Sequence, residues 1–387
     1  MRYRYQLILL GENRELLESV KLEISKRFDE LKLIQDVLKI VTKENISEYS
    51  GAEPAYVIYA GHKDKLDKET SEILEKQKLD GNVILPIFKD NFTKEIPDII
   101  SSLNGLKYDN NVAKICNLIL EGFELLRRSR KVFISYKRTE SSNVAIQLYE
   151  ALEANNFDVF LDTHSVDKGE EFQEELWHRM TDCDVIVMLN TKGFLKSEWC
   201  NKELEKAHLK RIGIVHLLWP DCDFENFAQL ALSMRLTTSD FHKPLFADLA
   251  KGRLEESRVK DVIRLVEDAR ARNLASRQDA LITEFTQAGY NNSIDLSLQF
   301  SRYITQELPT GKRIVYIPTV GIPQSINCQN SQRLIKRIEE KEIDSIHLIY
   351  DDLSIRDYWL NHLDWLNDRL EIKTIKKQEF NSWFKKF

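Results

Sequence analysis

Glycine and proline are scarce in this chain. Its 387 residues include 13 glycines and 8 prolines, where average usage would give about 46 of the two together. Collagen-like repeats, flexible low-complexity segments and glycine-rich phosphate cradles are therefore disfavoured. Neither GxGxxG nor GxxxxGK[ST] occurs, so the sequence carries no dinucleotide or P-loop fingerprint.

Cysteine clusters, long apolar runs and a large excess of one charge are also missing. The five cysteines form no CxxC pair and no zinc-type cluster with histidine, which disfavours a disulfide framework and a structural metal. No apolar run approaches the 18 residues of a membrane span, and the start lacks a signal-peptide pattern, so we expect a cytoplasmic protein without a membrane partner. The net charge of −6 argues against a nucleic-acid partner.

What the chain does have is a repeated alternation of short apolar segments with amphipathic ones. Near-continuous apolar strands between helices are typical of parallel, doubly wound α/β sheets. The length suggests two to three domains of about 100–200 residues each. The predicted strands are 6–10, 38–41, 55–61, 83–88, 131–136, 157–162, 184–189, 212–219, 313–318 and 343–350.

Three motifs in the middle of the chain resemble signatures of the Toll/interleukin-1 receptor (TIR) domain family. Phe133–Arg138 (FISYKR) is similar to the first box, and Phe160–Asp162 with the loop to Lys168–Phe172 is similar to the BB loop. Ser197–Leu204 (SEWCNKEL) is similar to the Trp-Cys-x-x-Glu-Leu helix. The three occur in order at family spacing. The resemblance implies a flavodoxin-like parallel sheet over residues 129–245.

The remaining segments are assigned around this unit. We predict a receiver-like α/β domain over residues 1–128, a charged helical connector over 246–295 and a small α/β domain over 296–387. A working receiver needs a phosphoacceptor Asp after its third strand, and that strand ends in Tyr59-Ala60-Gly61 instead. The first domain is therefore expected to bind or assemble rather than to be phosphorylated. Asp351 and Asp352 at a strand end could bind a ligand, although a helix cap is the simpler interpretation.

The TIR family implies two different functions. Some members are scaffolds that associate with other TIR domains, and others cleave NAD at the bond between nicotinamide and ribose. In the cleaving branch the essential residue is the glutamate of the Trp-Cys-x-x-Glu box, which maps to Glu203. Adaptor members often lack a glutamate at this position. Glu203 therefore favours an NAD glycohydrolase or cyclase, for which NAD is the substrate and no cofactor is required.

A single carboxylate suits this chemistry. Nicotinamide leaves a pyridinium as a neutral molecule, so the reaction needs no general acid, unlike ordinary glycoside hydrolysis. A nearby negative charge stabilises the ribosyl oxocarbenium and can position water. Trp199 precedes Glu203 by four residues, which places both on one helix face. The simpler alternatives are an exposed Glu203 that pairs with Lys206 and a Trp199 that belongs to the core.

Further candidate residues surround the expected cleft. The proposed substrate-binding set is Phe133, Ser135, Tyr136, Lys137, Arg138, Asp162, Lys168, Gly169 and Trp199. Ser135 and Tyr136 end a strand at the edge where open α/β sheets bind ligands, and Lys137 with Arg138 could meet the pyrophosphate. Packing, a solvated surface and an Asx-turn at Asp162 are the corresponding structural alternatives.

The hypothesis is thus an NAD-cleaving TIR protein of bacterial defence or stress signalling. The resemblance implies that TIR self-association into a homo-oligomer activates it, and the flanking domains are expected to sense a trigger. The alternative is a non-catalytic TIR scaffold that recruits a protein partner. A weaker alternative is a sensor that binds a nucleotide without cleaving it.

Overall fold

The computed structural model describes most of the chain. The described residues are 5–30, 37–51, 53–123, 125–126, 129–161, 178–194, 212–220, 222, 232–242, 252–299, 302–335, 343–353 and 355–386. The chain divides into two compact units, residues 1–128 and 129–387. Three five-stranded sheets form the frame of these units, so the predicted α/β class is confirmed.

The first unit is a parallel sheet in the order β2-β1-β3-β4-β5. This is the flavodoxin-like doubly wound order. Its strands are β1 (Tyr5–Leu10), β2 (Leu38–Thr42), β3 (Ala55–Tyr59), β4 (Val83–Phe88) and β5 (Leu106–Lys107). Its helices are α1 (Arg14–Glu30), α2 (Lys68–Leu79), α3 (Phe92–Glu95) and α4 (Val112–Gly122). Asp67 and Asn111 cap α2 and α4 by accepting hydrogen bonds from backbone N–H groups, as expected of N-cap residues.

The central crevice of this first sheet is closed by its own backbone. The N–H of Ala60 donates to Leu10 O at 2.8 Å, and the N–H of Asn13 donates to Ala60 O at 3.0 Å. Gly11 has a φ of +112°, and a Cβ there would overlap the carbonyl of Ala60. Only glycine fits both the dihedral and the close approach. The two loops that border a ligand crevice in such sheets are therefore tied together.

The second unit begins with another parallel sheet, in the order β10-β9-β8-β6-β7. Counted from β6, this is again the flavodoxin-like order. The strands are β6 (Lys131–Ser135), β7 (Asp158–Leu161), β8 (Val185–Asn190), β9 (Gly213–Leu218) and β10 (Leu232–Arg235). Helix α5 (Arg138–Glu153) follows β6. Both sheet faces carry apolar clusters, as parallel sheets require.

A helix of 36 residues, α6 (Glu256–Asn291), lies within the predicted connector and packs into two cores. Its first half contributes Val259, Val262, Ile263 and Val266 to the cluster over β6, β8 and β9. Its second half contributes Leu281, Ile282 and Phe285 to the C-terminal cluster. The apolar positions at i, i+3, i+4 and i+7 form the stripe that such packing needs.

The C-terminal sheet is mixed, in the order β11-β12-β13-β14-β15. Strands β11 and β12 pair antiparallel, β12 pairs antiparallel with β13, and β13, β14 and β15 are parallel. The strands are Ser297–Leu298, Ile304–Glu307, Arg313–Thr319, Ile343–Tyr350 and Lys373–Lys376. The helices are α7 (Ser325–Ile335), α8 (Asp357–Asn367) and α9 (Phe380–Phe384).

Buried ion pairs fasten α6 to the middle sheet. Arg270 Nε lies 2.9 Å from Asp184 Oδ2, and neither side chain is exposed to solvent. A second buried pair joins Arg130 to Glu267. Arg277 donates to the carbonyl oxygens of Cys183 and Thr181, both at 2.8 Å. These contacts fix the helix against the residues that directly precede β6 and β8.

Candidate functional site

The site forms at the carboxyl ends of β6 and β8, the two strands between which the strand order reverses. Ligands of open α/β sheets bind in the crevice at this switch point. Ser135 ends β6 and Asn190 ends β8, and both side chains are almost fully buried. The crevice is thus bordered by polar groups at the position that the topology selects.

One face of this sheet changes from apolar to polar along the strands. Phe133, Ile186 and Ile214 belong to its apolar cluster. Side chains alternate between faces, so two residues further along each strand the same face presents Ser135, Met188 and His216. The register aligns Ser135 with Met188, Met188 with His216, and His216 with Ser233 of β10. Polar side chains therefore lie at this level on β6, β9 and β10, with the apolar Met188 of β8 between Ser135 and His216, and Asn190 lies two residues further along β8.

The loops after β6 and β8 are joined by a clamp made of Lys137, Glu140 and Gly193. Lys137 Nζ lies 2.5 Å from Glu140 Oε1, and the Gly193 N–H donates to Glu140 Oε2 at 2.9 Å. A Cβ on Gly193 would overlap both side chains of the ion pair, which explains the glycine. Glu140 also lies in the first turn of α5, where a negative charge is stabilised by the helix dipole.

The electrostatics of the clamp favour an ionised Glu140. Burial raises the pKa of this carboxyl, but the hydrogen bonds from Lys137 and Gly193 outweigh it, and the pKa lies below its ordinary value of 4.5. The backbone leaves helical geometry at Ser141 (φ −149°, ψ 22°). The turn that carries Glu140 is therefore set apart from the rest of α5.

The residues of the proposed substrate-binding set that the structure describes differ in how far their side chains are buried. Ser135 borders the crevice, Lys137 is half-exposed in the clamp, and Arg138 is exposed at the start of α5. Phe133 is fully buried and stacks on Phe160 at a ring-centroid distance of 5.4 Å. Tyr136 packs in the cluster on the opposite face. Ser135, Lys137 and Arg138 are thus brought together at one edge, while Phe133 and Tyr136 belong to the cores beneath it.

The other predicted site residues lie outside the described residues. They are Glu203, Asp162, Lys168, Gly169 and Trp199. Within the described ranges, no group of three His, Cys, Asp or Glu side chains could hold a metal ion. No helix in the same ranges is both long and apolar enough to cross a membrane.

Sequence reasoning did not single out Glu140, Asn190, Gly193, His216 or Ser233. His216 is the one polar residue within the run 213–218, so its presence was a detectable signal. Asn190 follows a predicted strand directly. Ser233 and the clamp depend on strand register and on a pairing between residues 53 positions apart, which a single sequence does not reveal.

Comparison with known proteins identifies this sheet. Residues 132–253 match the family described as the TIR domain, and the chain therefore contains a TIR domain in its middle third. The match ends at residue 253, whereas the sequence-based boundary of this domain is residue 245. The pairing of Phe241 with Leu254 and the bond from Arg258 Nε to Asp240 at 2.8 Å lie at this end.

The other comparisons add little. No curated protein matches the chain significantly. Among solved structures, an ABC transporter substrate-binding protein from Desulfitobacterium hafniense is similar over 81% of this chain and 99% of its own, at 12% identity and a TM-score of 0.21. A second solved structure, an ABC transporter substrate-binding protein from Desulfitobacterium hafniense in complex with Leu, is 13% identical to this chain. The similarity covers 81% of this chain and 95% of that one, with a TM-score of 0.20. Scores this low carry no argument about fold or function.

Proposed function

We propose that the protein is an NAD glycohydrolase or cyclase that breaks the bond between nicotinamide and ribose. The observation that carries this proposal is a glutamate, Glu203, in the Trp-Cys-x-x-Glu-Leu box of a segment that matches the TIR family. The polar crevice at the ends of β6 and β8 supports it, because substrate hydroxyl groups need hydrogen-bonding partners there.

The roles follow from the chemistry of the substrate. Glu203 stabilises the positive charge that develops on the ribose as nicotinamide departs. Ser135 provides a hydroxyl at the crevice, and Arg138 with Lys168 provides positive charge for the pyrophosphate. The ammonium of Lys137 is partly neutralised by Glu140, so we assign it chiefly to the clamp. Phe133 and Tyr136 support the sheet from its cores.

Regulation is proposed to reside in assembly and in the flanking segments. Self-association of TIR domains would bring the BB loop around Gly169 to a neighbouring copy. The first unit and the C-terminal sheet would respond to a trigger in defence or stress signalling. Asp162 and Trp199 are proposed to border the substrate from the BB loop and from the Trp-Cys-x-x-Glu-Leu box.

Nicotinamide release from NAD tests the proposal. Purified full-length protein is incubated with NAD across a range of protein concentrations, and products are separated by chromatography. Glu203→Ala is expected to reduce release by at least about 100-fold, and Glu205→Ala, two residues away, serves as the matched control. Equal release from wild type and Glu203→Ala, or no release in any oligomeric state, would leave the scaffold alternative.

A further inference from the structure

Helix α8 of the C-terminal part carries a strip of exposed aromatic rings. The aromatic strip consists of Tyr358, which is 75% exposed, Trp365, which is 53% exposed, and His362, which is also exposed. The ring of His362 stacks on that of Trp365, with 6.0 Å between the centroids and 16° between the planes. Single exposed apolar residues are ordinary on protein surfaces, whereas a contiguous patch with tryptophan and tyrosine is typical of an interaction site.

The inner side of α8 is already used by the fold. Leu363 is buried in a small apolar cluster, and Leu360 and Leu366 pack against the same cluster. Successive helical residues are rotated by about 100° around the axis, so the aromatic strip points away from this cluster. Trp359 is a separate case, because its ring stacks on His178 at a centroid distance of 5.5 Å. The aromatic strip therefore has no role in holding the helix on its sheet.

A row of carboxylates runs beside the aromatic strip. The acidic row consists of Asp357, Asp364 and Asp368, all of which are exposed. The helical rotation places the three within about 40° of one another around the axis, and the rise per residue spreads them over about 16 Å. Asp364 pairs with Lys376 at 2.7 Å. Asp357 and Asp368 form no ion pair with any residue that the structure describes, so the row retains negative charge.

The chain itself shows which group suits this surface. The guanidinium of Arg369 lies over the ring of Trp365, 5.8 Å from its centroid. Guanidinium groups are attracted to the negative face of an aromatic ring and stack on it, and their alkyl stems cover apolar surface. Carboxylates attract the same cations and repel the phosphates of nucleic acids and anionic lipids. The aromatic strip and the acidic row are thus complementary to arginine side chains.

We propose that the aromatic strip and the acidic row together form a docking surface for an arginine-rich segment of a partner protein. The arginine stems lie on the aromatic strip, and their guanidinium groups reach the acidic row. An extended segment advances about 3.4 Å per residue, so about five residues cover the row. This inference goes beyond the proposed function, because the surface contains none of the residues assigned to NAD and is tested without NAD.

Fluorescence anisotropy of labelled octa-arginine, titrated with the full-length protein at about 0.15 M ionic strength, tests the proposal. Wild type is expected to bind octa-arginine more tightly than octalysine, since only the guanidinium stacks on the rings. Trp365→Ala is expected to weaken octa-arginine binding about 5-fold or more. Tyr290→Ala is the matched control, because Tyr290 is a 78% exposed aromatic residue of α6. It is expected to leave the affinity unchanged.

Three outcomes would overturn the docking surface. The first is an absence of octa-arginine binding to wild type. The second is equal affinity in wild type and Trp365→Ala, which would show only a general attraction of a cationic peptide to a chain of net charge −6. The third is self-association in sedimentation velocity that Trp365→Ala abolishes, which would assign the surface to a second copy of the chain.

These outcomes are separate from those of the proposed function. Octa-arginine binding that depends on Trp365, in a protein that releases no nicotinamide, would leave this inference and overturn the proposed function. Nicotinamide release with binding that is insensitive to Trp365→Ala would do the reverse. Because Trp365 is exposed, its replacement is expected to leave the fold intact, which circular dichroism establishes for each variant.

Discussion

The buried pair between Arg270 and Asp184 permits a quantitative prediction. Both side chains are 0% exposed and their charged atoms lie 2.9 Å apart. Arg270→Met removes the guanidinium and leaves a carboxylate in the core, with a backbone hydrogen bond from Lys131 at 3.3 Å as a remaining contact. Breaking one side of a buried pair typically costs about 3–5 kcal/mol. Since total stability is typically about 5–15 kcal/mol, the loss is a large share.

The double variant Arg270→Met/Asp184→Asn tests whether the two side chains interact directly. It removes both charges and retains an acceptor for the Lys131 N–H, so its unfolding free energy is expected to be at least that of the less stable single variant. Such non-additivity is the signature of a direct interaction. Arg313→Met is the control, because Arg313 pairs with Glu307 at 3.0 Å but the two side chains are 25% and 60% exposed. Its expected cost is below about 1 kcal/mol.

Urea denaturation followed by circular dichroism measures these differences. Hydrogen exchange with mass spectrometry then locates the loss of protection, which is expected in β8 and α6. A cost below about 1 kcal/mol for Arg270→Met would refute the conclusion that this pair holds the helix on the sheet. So would a double variant that loses the sum of the two single effects.

Three further predictions concern the clamp and the first unit. Glu140→Gln is expected to lower the unfolding free energy by about 1 kcal/mol at pH 7. Because the pKa of Glu140 is lowered in the folded protein, the difference in unfolding free energy between this variant and wild type should shrink in urea titrations below pH 4.5. Gly193→Ala displaces the same ion pair, so it is expected to cost about 1 kcal/mol of stability and to lower kcat/KM for NAD several-fold, and unchanged kinetics would contradict this. Gly11→Ala is expected to cost at least about 2 kcal/mol of stability, and a cost near zero would contradict the close approach to Ala60.

The strands of the sheet interiors were predictable, whereas the short strands were not. Segments such as 131–136 and 184–189 are apolar and lie within a residue or two of β6 and β8. The missed strands include β10, β12 and β15, of four residues each. They mix polar and apolar side chains, so neither length nor periodicity distinguishes them from loops. Their placement depends on pairing with a neighbouring strand.

The site was partly predictable for a related reason. Ser135 follows from its position at a strand end, because parallel strands present their carboxyl ends at one edge. The pairs of Arg130 with Glu267 and Arg270 with Asp184 join residues 137 and 86 positions apart. The alignment of Ser135, His216 and Ser233 depends on the register of β6, β8, β9 and β10. Contacts of this kind arise from tertiary packing, which local patterns do not encode.

The measurement that tests the central claim most directly is the reaction of NAD with the purified chain in ¹⁸O-labelled water. Mass spectrometry of the products is expected to show one nicotinamide for each NAD consumed. The ribosyl product should carry one ¹⁸O if water is the acceptor and none if an internal nucleophile closes a ring. Glu203→Ala should give neither product. Intact NAD after incubation of the fully assembled wild-type protein would contradict the account.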